Sequence, residues 1–216
     1  MKKGLTELVF ILDRSGSMSG LESDTIGGFN SVLTKQKGEV GDANITTVLF
    51  DDKYELLHDR YNLVKVPVIT DKEYFVRGST ALLDAIGKTI HKMGNVQKYA
   101  SEDDRAEKVM FVIITDGMEN ASVKYSYDHI KNMIDRQKNK YGWEFIFLGA
   151  NIDAIETAGR FGIAEDRVAN YHADREGTIL NYQIISETVS MVRSKRAIDA
   201  GWNDKIKEDY ESRKRR

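Results

Sequence analysis

The chain is organised around the stretch Leu8-Val9-Phe10-Ile11-Leu12-Asp13-Arg14-Ser15-Gly16-Ser17, in which an apolar run ends in one carboxylate and two hydroxyls. A continuous apolar run is typical of a strand that is covered on both faces of a parallel sheet. Asp13, Ser15 and Ser17 are alternate residues leaving that strand, so their side chains can converge on one point. All three offer oxygen, the ligand atom that Mg²⁺ prefers. The stretch therefore predicts a buried strand with a metal site at its carboxyl end.

Two further oxygen donors occur in similar settings. Thr80 lies in Arg77-Gly78-Ser79-Thr80-Ala81, just before an apolar helical segment, and Asp116 follows the apolar run Val109-Met110-Phe111-Val112-Ile113-Ile114. Ligands of open α/β sheets collect outside the carboxyl ends of the strands, where the chain order switches direction. We therefore predict that Thr80 and Asp116 join the first three donors in one site.

Apolar runs and helical patterns alternate along the sequence. This alternation indicates an α/β fold with a doubly wound (Rossmann-like), mostly parallel sheet, helices on both faces and an antiparallel edge strand. The predicted strands cover residues 8–12, 45–50, 54–63, 109–115, 145–148 and 167–171. Helical spacing of apolar residues predicts helices around residues 26–33, 82–90, 130–134, 152–161 and 179–192.

In this order and these settings, the five donors resemble the metal-ion-dependent adhesion site (MIDAS) of the von Willebrand factor A (vWA) domain family. That site consists of a DxSxS motif, a distant threonine and a distant aspartate. Asp13, Ser15 and Ser17 match the motif, Thr80 matches the threonine before a helix, and Asp116 matches the aspartate after the central strand. The resemblance extends from Leu5 to about Arg196 and is strongest to stand-alone vWA proteins of bacteria and phages.

The resemblance implies a divalent-cation-dependent protein-binding module. The cation is expected to be Mg²⁺, with Mn²⁺ or Ca²⁺ as alternatives, and a partner protein would present an Asp or Glu to it. By family analogy the partner is an AAA-type ATPase or a stress-response system. In some adhesion-type members, ligand binding shifts the metal between the aspartate and the threonine and moves the last helix.

Length and composition indicate one large domain with a tail. The 216 residues, 41% of them apolar, can form one sizeable core. We predict a vWA-like metal-binding domain over residues 1–196 and a charged helical tail over 197–216, which ends in the basic cluster Arg213-Lys214-Arg215-Arg216. A net charge of −2 predicts no nucleic-acid or membrane partner. The chain has no cysteine, which agrees with a cytoplasmic location.

Enzyme alternatives fit the sequence less well. A haloacid-dehalogenase-type phosphatase needs a second carboxylate two residues after its first aspartate, and Ser15 occupies that position. Gly87-Lys88-Thr89 resembles part of a phosphate-binding loop, but Leu82 stands where the first glycine should be. We predict that the protein is not an enzyme. Two alternatives stay open, namely a metal-dependent hydrolase that uses the same cluster and a scaffold without a functional metal.

Several residues beside the cluster have two interpretations. Arg14 should point away from Asp13, and we favour a solvated side chain over one that guides an acidic partner. Asp51 ends the neighbouring strand and is interpreted as a turn residue. Glu119 and Asn120 follow Asp116, and either support the metal ligands or cap the following helix.

Overall fold

The computed structural model describes residues 1–214 of the chain. Its six strands form one sheet in the order β3-β2-β1-β4-β5-β6, and all neighbouring strands are parallel except the antiparallel pair β2 and β3. The strands are β1 Lys2–Asp13, β2 Ala43–Phe50, β3 Tyr54–Asn62, β4 Ala106–Thr115, β5 Glu144–Gly149 and β6 Val168–Asn170. This order and pairing confirm the predicted doubly wound sheet with an antiparallel edge strand.

Helices cover both faces of the sheet. They are α1 Glu22–Lys37, α2 Leu82–Tyr99, α3 Tyr127–Tyr141, α4 Ala154–Arg160, α5 Arg175–Arg193 and α6 Asp204–Lys214. One core layer packs α1 and α5 against the sheet, and a second layer packs α2, α3 and α4 against the other face. Among residues 1–214, no helix is both long and apolar enough to cross a lipid bilayer.

The central strand β1 is as deeply buried as its sequence predicts. Leu8, Val9, Phe10, Ile11 and Leu12 each expose 1% or less of their surface. Alternate side chains enter opposite core layers, because successive side chains of a strand point to opposite faces of the sheet. The apolar run therefore joins both layers of the core.

The segment after residue 196 contributes apolar side chains to the core. Its charged composition predicts a tail instead. Ile198, Trp202 and Ile206 are almost fully buried against the layer that contains α5. The indole of Trp202 donates to the backbone of Asp166 over 2.7 Å. Next to it, the amide of Asn203 donates to the Val168 carbonyl over 2.6 Å. The segment thereby covers the outer edge of β6, which would otherwise expose unpaired backbone groups.

The basic cluster at the chain end is only partly within the described residues. Arg213 forms ion pairs with Asp209, one turn earlier in α6, and with Asp174, the residue that caps the N-terminus of α5. Arg215 and Arg216 lie outside the described residues. The contacts of Arg213 connect α6 to α5.

The strand order determines at which edge of the sheet a crevice forms. From β1 the chain winds outward through β2 and β3, and then returns to the other side of β1 to form β4. Leu12 of β1 pairs with Ile114 of β4, so both strands end side by side. A crevice forms at such a switch point, because the connections leave the two central strands in opposite directions.

The packing of α1 on α5 makes a first prediction. A Cβ added at Gly28 would lie 2.3 Å from the buried Tyr182 ring, whereas one added at Gly27 would have no atom within 4 Å. Gly28→Ala is expected to lower the free energy of unfolding by about 1 to 3 kcal/mol through overpacking. Gly27→Ala, the control in the same helix, should raise it by up to about 1 kcal/mol through helix propensity. Urea unfolding measures both values, and equal effects would contradict the close packing.

Candidate metal centre

The crevice between β1 and β4 holds all five predicted donor residues. Asp13 is the last residue of β1, and Ser15 and Ser17 lie in the loop and 3₁₀ turn that follow. Asp116 directly follows β4, and Thr80 lies two residues before the start of α2. Four of the five are nearly fully buried, while Ser17 is exposed. The cluster therefore lines a buried floor that opens to solvent beside Ser17.

The hydroxyl groups of the cluster lie within hydrogen-bond distance of one another. The Ser15 Oγ atom is 3.0 Å from the Ser17 Oγ atom, and it accepts a hydrogen bond of 3.0 Å from Thr80 Oγ1. Asp13 is held on both of its oxygens, by the Ser15 amide at 2.7 Å and by the Thr115 hydroxyl at 2.5 Å. The side chains from β1 and from the Thr80 loop thus meet at one point.

The two carboxylates are buried without a compensating cation. Neither Asp13 nor Asp116 forms an ion pair with any residue in the described part of the chain. Burial raises the pKa of Asp13 to about 6, an increase that hydrogen bonds from Thr115 and Ser15 partly offset and that the charge of Asp116 reinforces. Burial also raises the pKa of Asp116. A divalent cation would relieve this electrostatic cost.

Asp116 provides the most direct structural sign of a cation site. Both of its carboxylate oxygens are buried, and neither has a hydrogen-bond partner that meets the distance and angle requirements among residues 1–214. The nearby Ser17 hydroxyl lowers the Asp116 pKa somewhat, but this is too little to reverse the effect of burial. Buried polar atoms normally have partners, so two orphan oxygens in one carboxylate fit a bound cation.

Gly117 leaves space at the centre of the cluster. A Cβ at this position would lie 2.8 Å from Ser17 Oγ, 2.9 Å from Thr80 Oγ1 and 3.6 Å from Ser15 Oγ. These distances show that the three hydroxyls surround the space that a side chain would occupy. A glycine keeps that space free for another occupant.

Known proteins resemble this chain in fold but not detectably in sequence. No protein-family model matches the sequence, and no curated protein does either. Among solved structures, the vWF domain of the type V pili tip protein Mfa5 from Porphyromonas gingivalis matches with a TM-score of 0.61 and 10% identity, over 87% of this chain and 95% of that one. The von Willebrand factor type A structure from Catenulispora acidiphila matches with a TM-score of 0.57 and 15% identity, over 86% of this chain.

The chain has the von Willebrand factor A fold. Proximal thread matrix protein 1 from the mussel byssus, in a form with a zinc-occupied MIDAS motif, shares this fold with a TM-score of 0.55 and 14% identity over 86% of this chain. The chain spans less than half the length of that mussel protein and of the C. acidiphila chain, 46% and 42%. The likeness therefore establishes the vWA fold.

The donor chemistry of the five residues fits a MIDAS. All five side chains offer oxygen, and three of them are neutral hydroxyls. The described residues contain no group of three or more His, Cys, Asp or Glu side chains that could hold a metal. A hydroxyl-rich set with two carboxylates suits a hard cation that keeps some of its water. With the orphan oxygens of Asp116 and the space at Gly117, the residues fit the cation that the vWA fold implies.

Residues outside the motif fix the ligands in place. Thr115 donates to Asp13, and the Asn120 side-chain oxygen accepts from the Thr80 amide over 2.9 Å. Glu119 accepts from the backbone amides of Leu83, over 2.8 Å, and of Ser122, over 2.7 Å. Asn120 thus supports a ligand, while Glu119 caps α2 rather than the helix that follows it. The sequence shows that both residues lie close to Asp116, but not which element each contacts.

Arg14 contradicts the prediction of a solvated side chain. It is fully buried, and its Nε atom donates to Asp51 Oδ2 over 2.9 Å. A second ion pair joins its Nη2 atom to Glu55 at 2.8 Å, and Arg77 also binds Asp51, at 2.7 Å. The guanidinium groups of Arg14 and Arg77 lie 5.4 and 5.2 Å from the centre of the Phe75 ring. The prediction was wrong because the carboxylate that accepts Arg14 belongs to Asp51, which directly follows β2 and lies 37 residues away in the sequence.

Asp51 has a larger role than that of a turn residue. Its Oδ1 atom does accept from the Lys53 amide over 2.7 Å, as a turn residue would. Its Oδ2 atom receives both arginines. Burial raises the pKa of Asp51, but hydrogen bonds from Arg77, the Lys53 amide and Arg14 outweigh it, so the pKa is lower than usual. Asp51 is therefore an ionised, buried anchor next to the candidate metal centre.

The buried ion pair makes a second prediction. Asp51→Asn is expected to lower the free energy of unfolding by about 3 kcal/mol or more, because it leaves the buried Arg14 with an incomplete counter-charge. The control is Asp59→Asn, which removes an exposed ion pair to Lys92 and should cost less than about 1 kcal/mol. Urea unfolding compares the two variants. A loss for Asp51→Asn no larger than that of the control would show that the buried pair adds little stability.

The cradle at Gly117 makes a third prediction. Gly117→Ala should weaken Mg²⁺ binding by about 10- to 100-fold, because the new methyl group displaces the Ser17 and Thr80 hydroxyls. Gly16→Ala is the matched control, since its Cβ would meet only the Gly78 carbonyl at an ordinary 3.5 Å. Calorimetry measures both affinities, and circular dichroism checks the fold. Unchanged affinity in Gly117→Ala would place any bound metal elsewhere.

Proposed function

We propose that the protein is a divalent-cation-dependent protein-binding module. The observation that carries the proposal is the pair of buried carboxylates, Asp13 and Asp116, which meet three hydroxyls at the switch point of a vWA fold and have no cation partner among the described residues. Asp13, Ser15, Ser17, Thr80 and Asp116 would hold the cation, some of them through water, because five direct ligands would leave little room for an incoming group.

Mg²⁺ is the proposed cation. An all-oxygen set with two carboxylates matches the preference of Mg²⁺, and Mn²⁺ or Ca²⁺ would accept the same ligands. Zinc usually takes nitrogen or sulfur ligands, and the cluster contains neither histidine nor cysteine. The mussel protein with zinc at its MIDAS shows that this fold also accommodates zinc. A metal titration should therefore include Zn²⁺ as a competitor.

The proposed ligand is an Asp or Glu side chain of a partner protein. Two carboxylates only balance the two positive charges of a divalent cation, and the other three donors are neutral hydroxyls. The bound ion would therefore still attract a further oxygen ligand. The exposed Ser17 gives access from solvent, and Met118, which follows Gly117 and is 71% exposed, offers an apolar contact to a partner. By analogy the partner belongs to an AAA-type ATPase or a stress-response system. The expected cytoplasmic location stays a prediction.

The proposal predicts coupled loss of metal and partner. Asp13→Asn should abolish Mg²⁺ binding in calorimetry, because it removes one of two charged ligands. Affinity capture from a native lysate should recover a partner with Mg²⁺ and lose it with EDTA or with Asp13→Asn, while Asp59→Asn, a substitution at the exposed ion pair, behaves as wild type. A partner retained in EDTA would show that recognition occurs elsewhere on the surface.

The same variants separate the binding module from a hydrolase. Phosphatase, nucleoside triphosphatase and esterase assays with Mg²⁺ or Mn²⁺ should give background rates. Ser15 occupies the position where a second carboxylate would be needed as the acid or base. Two of the histidines are engaged elsewhere, His58 with Thr47 and His172 with the Tyr210 carbonyl. Turnover that disappears in Asp13→Asn would favour the metal-dependent hydrolase.

A further inference from the structure

A cavity of about 720 Å³ lies at the end of the sheet opposite the metal centre. Helices α2 and α3, the start of β4 and Trp143, which directly precedes β5, line it. Its apolar base is formed by Ile90, Val109, Met133 and Trp143. The Trp143 ring stacks on Phe111 with 5.5 Å between ring centres, which keeps it fixed. A cavity of this size is in the range of small-molecule sites.

Two glycines of α2 show where the space beside this helix is filled and where it is open. Near the start of α2, the segment before α3 packs tightly, and a Cβ at Gly87 would lie 2.5 Å from the Tyr125 ring. Two turns later, a Cβ at Gly94 would have only Gln137 Nε2 within 4 Å, at 3.8 Å. Gly94 lines the cavity and adds no side chain to it. Because Gly94 has no side chain, it leaves the part of the cavity beside it open.

The rim of the cavity is positively charged. Lys98, Arg105 and Arg136 line it, and Glu107 is the single acidic side chain among the described lining residues. Glu107 is already neutralised, since it forms an ion pair of 2.8 Å with Lys195 and accepts from the Gly4 amide over 2.6 Å. The charge that remains toward the cavity is therefore cationic.

Two donors beside the cavity lack acceptors. The Arg105 guanidinium donates from Nη2 to the Ala100 carbonyl over 3.1 Å, but its Nε atom is buried and has no partner among residues 1–214. Gln97 Nε2 is likewise buried without a partner in that part of the chain. Buried donors normally have acceptors, so either side chain would gain a partner by turning toward a ligand that brings oxygen atoms.

We propose that this cavity binds a small anionic aromatic molecule, with its rings on the Trp143 side and its acidic group between Arg105 and Arg136. The apolar base favours a flat hydrophobic body, and Trp143 and Met133 suit an aromatic ring in particular. Charge-assisted hydrogen bonds from a guanidinium fork favour a carboxylate or sulfonate. This site is independent of the metal centre and of its proposed partner.

The test uses two fluorescent probes that differ only in charge. 1-Anilinonaphthalene-8-sulfonate carries a sulfonate, and N-phenyl-1-naphthylamine has the same rings without it. Titration with the folded protein should give saturable binding of the sulfonate probe, at least about tenfold tighter than that of the neutral probe. Arg136→Gln should remove most of this difference in affinity, because it removes one of the two guanidinium groups proposed to hold the sulfonate. Arg136 is exposed, so the substitution leaves the core intact. EDTA should have no effect.

A blocking variant shows where the probe binds. Gly94→Leu places a side chain in the cavity and should weaken the sulfonate probe at least about tenfold, while Gly27→Leu, in the open on α1, should leave it unchanged. Circular dichroism and the midpoint of urea unfolding verify that both variants fold. Equal binding to Gly94→Leu and wild type, equal affinity of the two probes, or no saturable binding to the wild type would each overturn the proposal.

Discussion

The buried ion pair between Arg14 and Asp51 is the interaction on which the arrangement of the candidate metal centre depends. Both side chains are fully buried, and they join the end of β1 to the end of β2. Removing either partner would leave an unpaired charge in a region that solvent does not reach, so the loss of one side chain alone would destabilise the fold. Arg14 lies between two predicted metal ligands, Asp13 and Ser15, and its anchoring therefore fixes the loop that carries them.

Backbone hydrogen bonds extend this anchor to the loop that carries Thr80. The Arg14 carbonyl accepts from the Arg77 amide over 2.9 Å, and the Asp51 carbonyl accepts from the Ala81 amide over 2.9 Å. The Gly16 amide donates to the Gly78 carbonyl over 3.1 Å. These backbone hydrogen bonds hold the loop on both sides of Thr80 against the ends of β1 and β2, which places Thr80 next to Ser15. Ligands that are held by rigid surroundings lose little entropy when they bind.

The two ends of the sheet have opposite electrostatic character. At the carboxyl ends of the strands, Asp13 and Asp116 concentrate negative charge, which suits a cation. At the opposite end, Arg105 and Arg136 border an apolar cavity, which suits an anion. The two sites share the central strands and helix α2, which begins two residues after Thr80 and whose second half lines the cavity.

The sequence by itself determined the central strand and predicted the five donor residues, because both depend on local patterns. An apolar run from Leu8 to Leu12 with oxygen donors on alternate residues has the same meaning wherever it occurs. Only the tertiary structure decided the burial of Arg14, the packing of Trp202 and the cavity beside Gly94. Each of these depends on residues that the fold brings together from distant parts of the sequence, such as Asp51 for Arg14. No local periodicity records such contacts between distant parts of the chain, so the fold alone reveals them.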